Sequence, residues 1–132
     1  MTDLSATEQS KQAVMAFFDT ANRVSYREAL SRTSDELQWW TSATTYDKAQ
    51  MLAIADALAD QITAPIRFET GTVTAQDDRV AIEAKSFCVR KSGVPYENVY
   101  HFLFRVRDGV IVEIREHCDT AYAAKVWADA IG

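Results

Sequence analysis

Glycine and proline are scarce in this chain, four and two among 132 residues. Few positions can break it into linkers, and no repeat or low-complexity stretch interrupts it, so a single domain over 1–132 is expected. Cysteine is equally sparse. Cys88 and Cys118 are too few for a disulfide framework, and no CxxC or His/Cys cluster suggests a metal, so two buried reduced thiols are expected. Positive charge is in deficit: 14 Lys and Arg against 19 Asp and Glu leave a net charge of −5. This argues against nucleic acid or an anionic membrane as a partner, since both need a basic footprint. Arg105 and Arg107 lie close together, but Asp108 and Glu113 offset them. No apolar run approaches the length of a membrane span. The opening MTDLSATEQS has neither the positive stretch nor the apolar run of a signal peptide, so a cytoplasmic protein is expected.

What is present is an ordinary globular composition, 48% hydrophobic and 25% charged. A chain of this length can bury a core without staples. Ser5 and Glu8 form a capping-box pattern, and Val14, Phe17, Phe18 and Ala21 recur at helical spacing, predicting a first helix over 6–20. Ser25 and Glu28 repeat the box before a short helix, YREALS. ELQWWTS reads as a short strand. Thr44 or Thr45 can cap a third helix, YDKAQMLAIADALADQI, striped by Met51, Ala55, Leu58 and Ile62. From Pro65 the period changes to that of strands: 66–75, 79–90, 96–106 and 110–118, joined by turns at Asp77-Asp78, Ser92-Gly93 and Asp108-Gly109. Asp119 caps a last helix over 120–130. Helices segregated from an antiparallel meander give an α+β class. A strongly bent sheet wrapped over the helices would make a barrel-like cone with an internal pocket.

One residue stands out against this pattern. In strand 96–106, Tyr96, Asn98, Tyr100, Phe102 and Phe104 share one face; in strand 110–118, Val110, Val112, Ile114, Glu116 and Cys118 share one face. A two-residue Asp108-Gly109 loop sets Phe104 opposite Glu113. A three-residue loop, Arg107 to Gly109, sets Phe104 opposite Val112 and Phe102 opposite Ile114. Hydrophobic matching favours the longer loop, since a slip of one residue exchanges the whole buried set. Glu116 then faces Tyr100 on the aromatic side, near Asn98 and Tyr96. Burial pushes such a carboxyl's pKa upward, which suits general acid or base work. The plainer alternatives are a carboxylate at the solvent-facing sheet end, or one held by Arg90 or Arg115.

Other candidates follow. Trp39 and Trp40 alternate, so one faces the cavity, as ligand wall or as core. Tyr46, Phe18, Tyr96 and Phe102 are further wall candidates. Glu83 is a second acid candidate whose facing is open: Val80, Ile82 and Ala84 turn it outward, while Phe87 and Val89 turn it inward. Asp119 could combine a helix cap with a catalytic position at the cavity mouth. His101 and His117 are expected on the outer sheet surface.

The stretches WWTSATTYDKAQM and YENVYHFLFRVRDGVIVEIREHCDT, with the helix that follows, resemble the SnoaL-like polyketide cyclases of the nuclear-transport-factor-two-like, or ketosteroid-isomerase-like, superfamily. The resemblance spans nearly the whole chain. It implies the cone fold, and it implies an acid/base role for Glu116, the position matching a pocket glutamate of some relatives. His117 stands where that family usually has an aromatic. The tyrosine and two aspartates of ketosteroid isomerases and the polar set of limonene epoxide hydrolases are not matched. Many members are dimers through the outer sheet face, which implies a homodimer here around His101, Leu103 and Ile111. The expected function is cofactor-independent isomerase, cyclase or lyase chemistry on a small, largely apolar molecule, with Tyr100 and Asn98 orienting it. Neither a metal nor a nucleotide is expected. The alternative is a non-catalytic ligand-binding or accessory module of the same fold.

Overall fold

The computed structural model describes residues 5–128. Helix α1 (Ala6–Arg23) begins where Ser5 accepts a hydrogen bond from the Glu8 N–H at 3.1 Å, and runs one turn beyond the predicted end. It buries Val14, Phe17, Phe18 and Ala21. Helix α2 (Tyr26–Ser31) is capped in the same way by Ser25. Strand β1 (Gln38–Thr41) follows.

The sequence reading missed the next element. Thr44 and Thr45 do not cap a helix; they belong to a second short strand, β2 (Thr44–Asp47). It folds back on β1 through Ser42 and Ala43, both at positive φ. A two-residue hairpin turn wants Gly, Asn or Asp there, so Ser-Ala carries no turn signal. Helix α3 (Lys48–Gln61) starts two residues later than predicted, on a full capping box between Asp47 and Gln50. The Lys48 ammonium donates to the Ser31 and Thr33 carbonyls, 2.8 Å each, fastening the start of α3 to the end of α2.

Strands β3 (Arg67–Gln76), β4 (Arg79–Val89), β5 (Pro95–Arg107) and β6 (Val110–Cys118) form the expected antiparallel meander. The sheet has six strands in the order β2-β1-β6-β5-β4-β3, with β1 parallel to β6. Helix α4 (Thr120–Trp127) closes the described chain; residues 129–130 of its predicted extent lie outside the described residues. The edge of β3 is met by Asn22 of α1, whose amide accepts from the Phe68 N–H at 2.7 Å and donates to the Phe68 carbonyl at 2.9 Å. The fold is α+β, a curved sheet wrapped over N-terminal helices. Among the described residues no helix is long and apolar enough to cross a membrane.

The β5–β6 register differs from both sequence alternatives. Arg107 pairs with Val110, so the loop is only Asp108-Gly109, with φ of 51° and 77°. A bulge then inserts Val112 between the pairs Val106–Ile111 and Arg105–Glu113. The bulge restores what a longer loop would have given, because one extra residue shifts the facing by one. Phe104 meets Ile114, Phe102 meets Glu116, and Tyr100 meets Cys118. It also turns Ile111 into the core, at 5% exposure, so Ile111 does not belong to the outer face.

Candidate functional site

Inside the curve of the sheet lies a cavity of about 260 Å³. Met51, Ile54 and Leu58 line it from α3, and Ile66 and Phe68 from the chain entering and beginning β3. Trp39, Thr41, Tyr96, Tyr100, Phe102 and Glu116 line it from β1, β5 and β6. Tyr26, Tyr46 and Trp127 complete the wall. The polar groups therefore converge from the sheet, opposite apolar side chains of a helix. This is the usual division of a small-molecule pocket, although its volume falls just below the typical range of about 300–1,000 Å³.

The parallel pairing of β1 with β6 sets Thr41 beside Glu116. The Thr41 hydroxyl donates to Glu116 Oε2 at 3.0 Å, and the Cys118 thiol approaches the same oxygen at 3.6 Å. No ion pair reaches Glu116 among the described residues. Arg115 lies on the opposite sheet face, 4.4 Å over the Trp40 ring, and Arg90 donates to the Val126 carbonyl at 2.7 Å. Burial raises the Glu116 pKa above the ordinary carboxyl value, against the opposing pull of Thr41, Cys118 and Trp39. Burial and the neighbouring Glu116 push the Cys118 thiol up to about 12.

Trp39 is 1% exposed, and its indole N–H has no hydrogen-bond acceptor among the described residues. It comes close enough to the Glu116 carboxyl to steady its charge, but not in hydrogen-bond geometry. A buried orphan donor is costly, and natural cores contain few.

A second polar line runs along β5. Ser86 and Tyr100 share a 2.7 Å hydrogen bond, the Tyr100 and Tyr96 hydroxyls lie 3.4 Å apart, and Asn98 donates to the Tyr96 hydroxyl at 2.7 Å. Burial raises the pKa of both tyrosines, so both remain protonated donors.

Several candidates sit elsewhere. Asn98 is 2% exposed and does not line the cavity; its amide also serves the Asp119 carbonyl and the Val99 and Asp119 N–H groups, which ties β5 to the start of α4. Phe18 is core, ringed by Phe17, Phe68, Phe102 and Phe104. Trp40 lies outside, its ring 5.0 Å from that of His117. Glu83 turns outward, the facing that Val80, Ile82 and Ala84 demand. Asp119 is exposed and caps α4 by accepting from the Tyr122 N–H at 3.0 Å. Outside the sheet, an open groove of about 510 Å³ gathers Glu69, Glu83, Lys85, Val99, His101 and His117. It is larger than the internal cavity but open and charged, and Glu116 does not line it.

A profile of the SnoaL-like domain matches residues 14–114, more than half of the chain. The chain belongs to the SnoaL-like domain family. A search of curated protein sequences finds no match. In structure, this SnoaL-like domain is similar to BvnE pinacolase from Penicillium brevicompactum, at 16% identity over 97% of this chain and 94% of that one, with a TM-score of 0.83. It is similar to an LEH-like epoxide hydrolase from M. tuberculosis, at 15% identity over 94% and 92%, TM-score 0.73. A protein of Jannaschia sp. CCS1 designated a SnoaL-like polyketide cyclase matches at 20% identity over 99% and 97%, TM-score 0.74. At such identities the likeness establishes the fold and leaves the reaction open.

Sequence reasoning missed Tyr26, Thr41, Met51 and Trp127 as lining residues of the SnoaL-like domain. Tyr26 sits in a helix of six residues, too short for a facing to be read from periodicity. Thr41 acquires its place only through a long-range parallel pairing.

The raised Glu116 pKa has a consequence for stability. A carboxyl with a higher pKa in the fold than in the unfolded chain adds stability below the unfolded value and loses it as pH rises through the folded value. Glu116→Gln is therefore expected to melt above the wild type at pH 8, with the gap closing as pH falls toward about 4.3, the usual glutamate value. For a chain of this size, about 1 kcal/mol reads as roughly 3–5 °C. A variant that melts lower at pH 8 would mean that the carboxylate is ionised and held by a partner.

Proposed function

We propose that this SnoaL-like domain is a cofactor-independent isomerase, cyclase or lyase acting on a small, largely apolar molecule that carries a carbonyl or related oxygen. The observation that carries this reading is the half-buried Glu116 carboxyl, which no ion pair reaches among the described residues, on one cavity wall with the Trp39 indole and the Tyr96 and Tyr100 hydroxyls. The Trp39 indole receives the substrate oxygen. Glu116 moves a proton between that oxygen, or the carbon beside it, and itself. An enolate-like oxygen forming near Trp39 meets a donor already fixed by packing, so no reorganisation is needed as charge develops. Tyr26, Tyr96 and Tyr100 supply further hydroxyls around the site, while the α3 side chains hold the apolar remainder. Removing one apolar α3 contact would change binding; removing the Glu116 proton would change chemistry. A thermal-shift panel of small ketones, enols, epoxides and polycyclic quinones tests the first half of the reading. Ligand at a hundred times its dissociation constant adds about 2.7 kcal/mol. No shift from any class would count against an internal ligand site.

We further read the outer sheet face as the contact of a homodimer. Val99 is 56% exposed there, and Leu103 and His101 share its face. Sedimentation equilibrium is expected to give a dimer for the wild type and a monomer for Val99→Glu/Leu103→Glu with an unchanged circular dichroism spectrum. A dimer that survives both charges would move the interface elsewhere.

A further inference from the structure

A second recess of about 280 Å³ lies between the start of α2, the C-terminal half of α3 and the segment 62–66. Ser25, Arg27, Ala55, Ala59 and Ala64 are among its lining residues and do not line the internal cavity. Tyr26, Leu58 and Ile66 line both spaces. The two spaces are thus neighbours that share a wall of three side chains, and the backbone around that wall is fixed. Thr63 N–H donates to the Val89 carbonyl at 2.9 Å, and Ile62 bridges to Arg90 just beyond the end of β4. At the recess itself the two helices are bridged by an exposed ion pair, Arg27 to Asp56 at 2.8 Å, while Lys48 fastens them at the other end of α2. Exposed pairs of this kind hold elements together weakly.

We infer that the recess is the second compartment of the ligand site: the substrate is an elongated molecule with an oxygen-bearing head at Glu116 and Trp39 and an apolar tail that passes Tyr26, Leu58 and Ile66 into the space between α2 and α3. This rests on the internal cavity being a ligand site. Three observations favour it. The cavity alone is small for a drug-sized ligand, while both compartments together fall within the common range. The shared wall is apolar except for the Tyr26 hydroxyl. Tyr26 lines both spaces, so its ring stands between the polar end and the recess, with its hydroxyl the one polar group of that wall. Burial first, then Glu116 and Tyr96, keep it protonated. Tyr26 is then a specificity residue, whose ring position sets how long a tail is admitted.

The test uses straight-chain methyl ketones of six to twelve carbons, with dissociation constants measured on the wild type, Ala59→Trp and Ala64→Trp. Ala59 and Ala64 are exposed and line only the recess, so the indoles block it without entering the core. Each buried methylene is expected to tighten wild-type binding about fourfold, and this gain should continue to the longest ketones. Both variants should bind the shortest ketones as the wild type does and lose at least tenfold on the longest. If short ketones bind but affinity levels off early, and both variants bind long and short ketones alike, the second compartment is refuted while the cavity stands as a ligand site. If no ketone of any length binds, the cavity reading fails, and this inference fails with it.

Discussion

Glu116→Gln is expected to lower turnover in the cavity by about 10²–10⁴-fold, the usual contribution of a positioned general acid or base, while ligand affinity stays within a few fold. Glutamine keeps the shape of the side chain, and its carbonyl oxygen can still accept from Thr41 and Cys118, which now meet Glu116 at 3.0 and 3.6 Å. Only the exchangeable carboxyl proton is lost. A drop in affinity with turnover unchanged would make Glu116 a binding group. Ligand binding with no turnover in either protein would favour the accessory-module alternative. The same substitution should relieve the cost of a partly desolvated carboxylate, so the variant that loses chemistry should also be the more stable at high pH.

Phe18→Ala is expected to cost about 3–5 kcal/mol of stability, the range for emptying a buried aromatic site. Phe18 is 2% exposed and packs against four aromatic rings, with centroids between 5.4 and 5.8 Å away. It joins α1 to β3 and β5, so the hole would open in the contact that holds helix and sheet together. A melting temperature roughly 10–20 °C lower follows for a chain of this size. A variant that melts normally but loses ligand affinity would instead place Phe18 on the cavity wall.

The contrast between these two residues shows where sequence pattern carries and where it stops. Alternation along β5 and β6 was enough to turn Glu116 toward the aromatic face, because period two survives any even change of register. The residue opposite it was not legible. Tyr100 was expected and Phe102 is found, because a two-residue turn and a bulge at Val112 replace a three-residue loop. Nothing in the composition of RVRDGVIVEI distinguishes those solutions, and the same bulge moved Ile111 from the outer face to the core. Phe18 shows a second limit. A helical stripe identifies what is buried but does not separate core from cavity wall, since both are apolar. The β1–β2 hairpin was hidden because Ser42 and Ala43 hold positive φ without glycine or asparagine. Thr41 joined Glu116 through a parallel pairing across more than seventy positions, which no local pattern encodes. The orphan Trp39 N–H belongs to the same class: the sequence offers a tryptophan, and only the packed structure leaves its donor unmatched.

The central claim is that Glu116 exchanges a proton with a ligand held in the cavity. The most direct measurement follows deuterium uptake from heavy water at the carbon beside the carbonyl of a cavity-binding ketone, by proton NMR, for the wild type and Glu116→Gln. The expected result is uptake well above the buffer rate with the wild type, and a loss of about 10²-fold or more in the variant while the ketone still raises its melting temperature. Uptake at the same rate in both proteins, or at the buffer rate in a wild type that binds the ketone, would contradict the account.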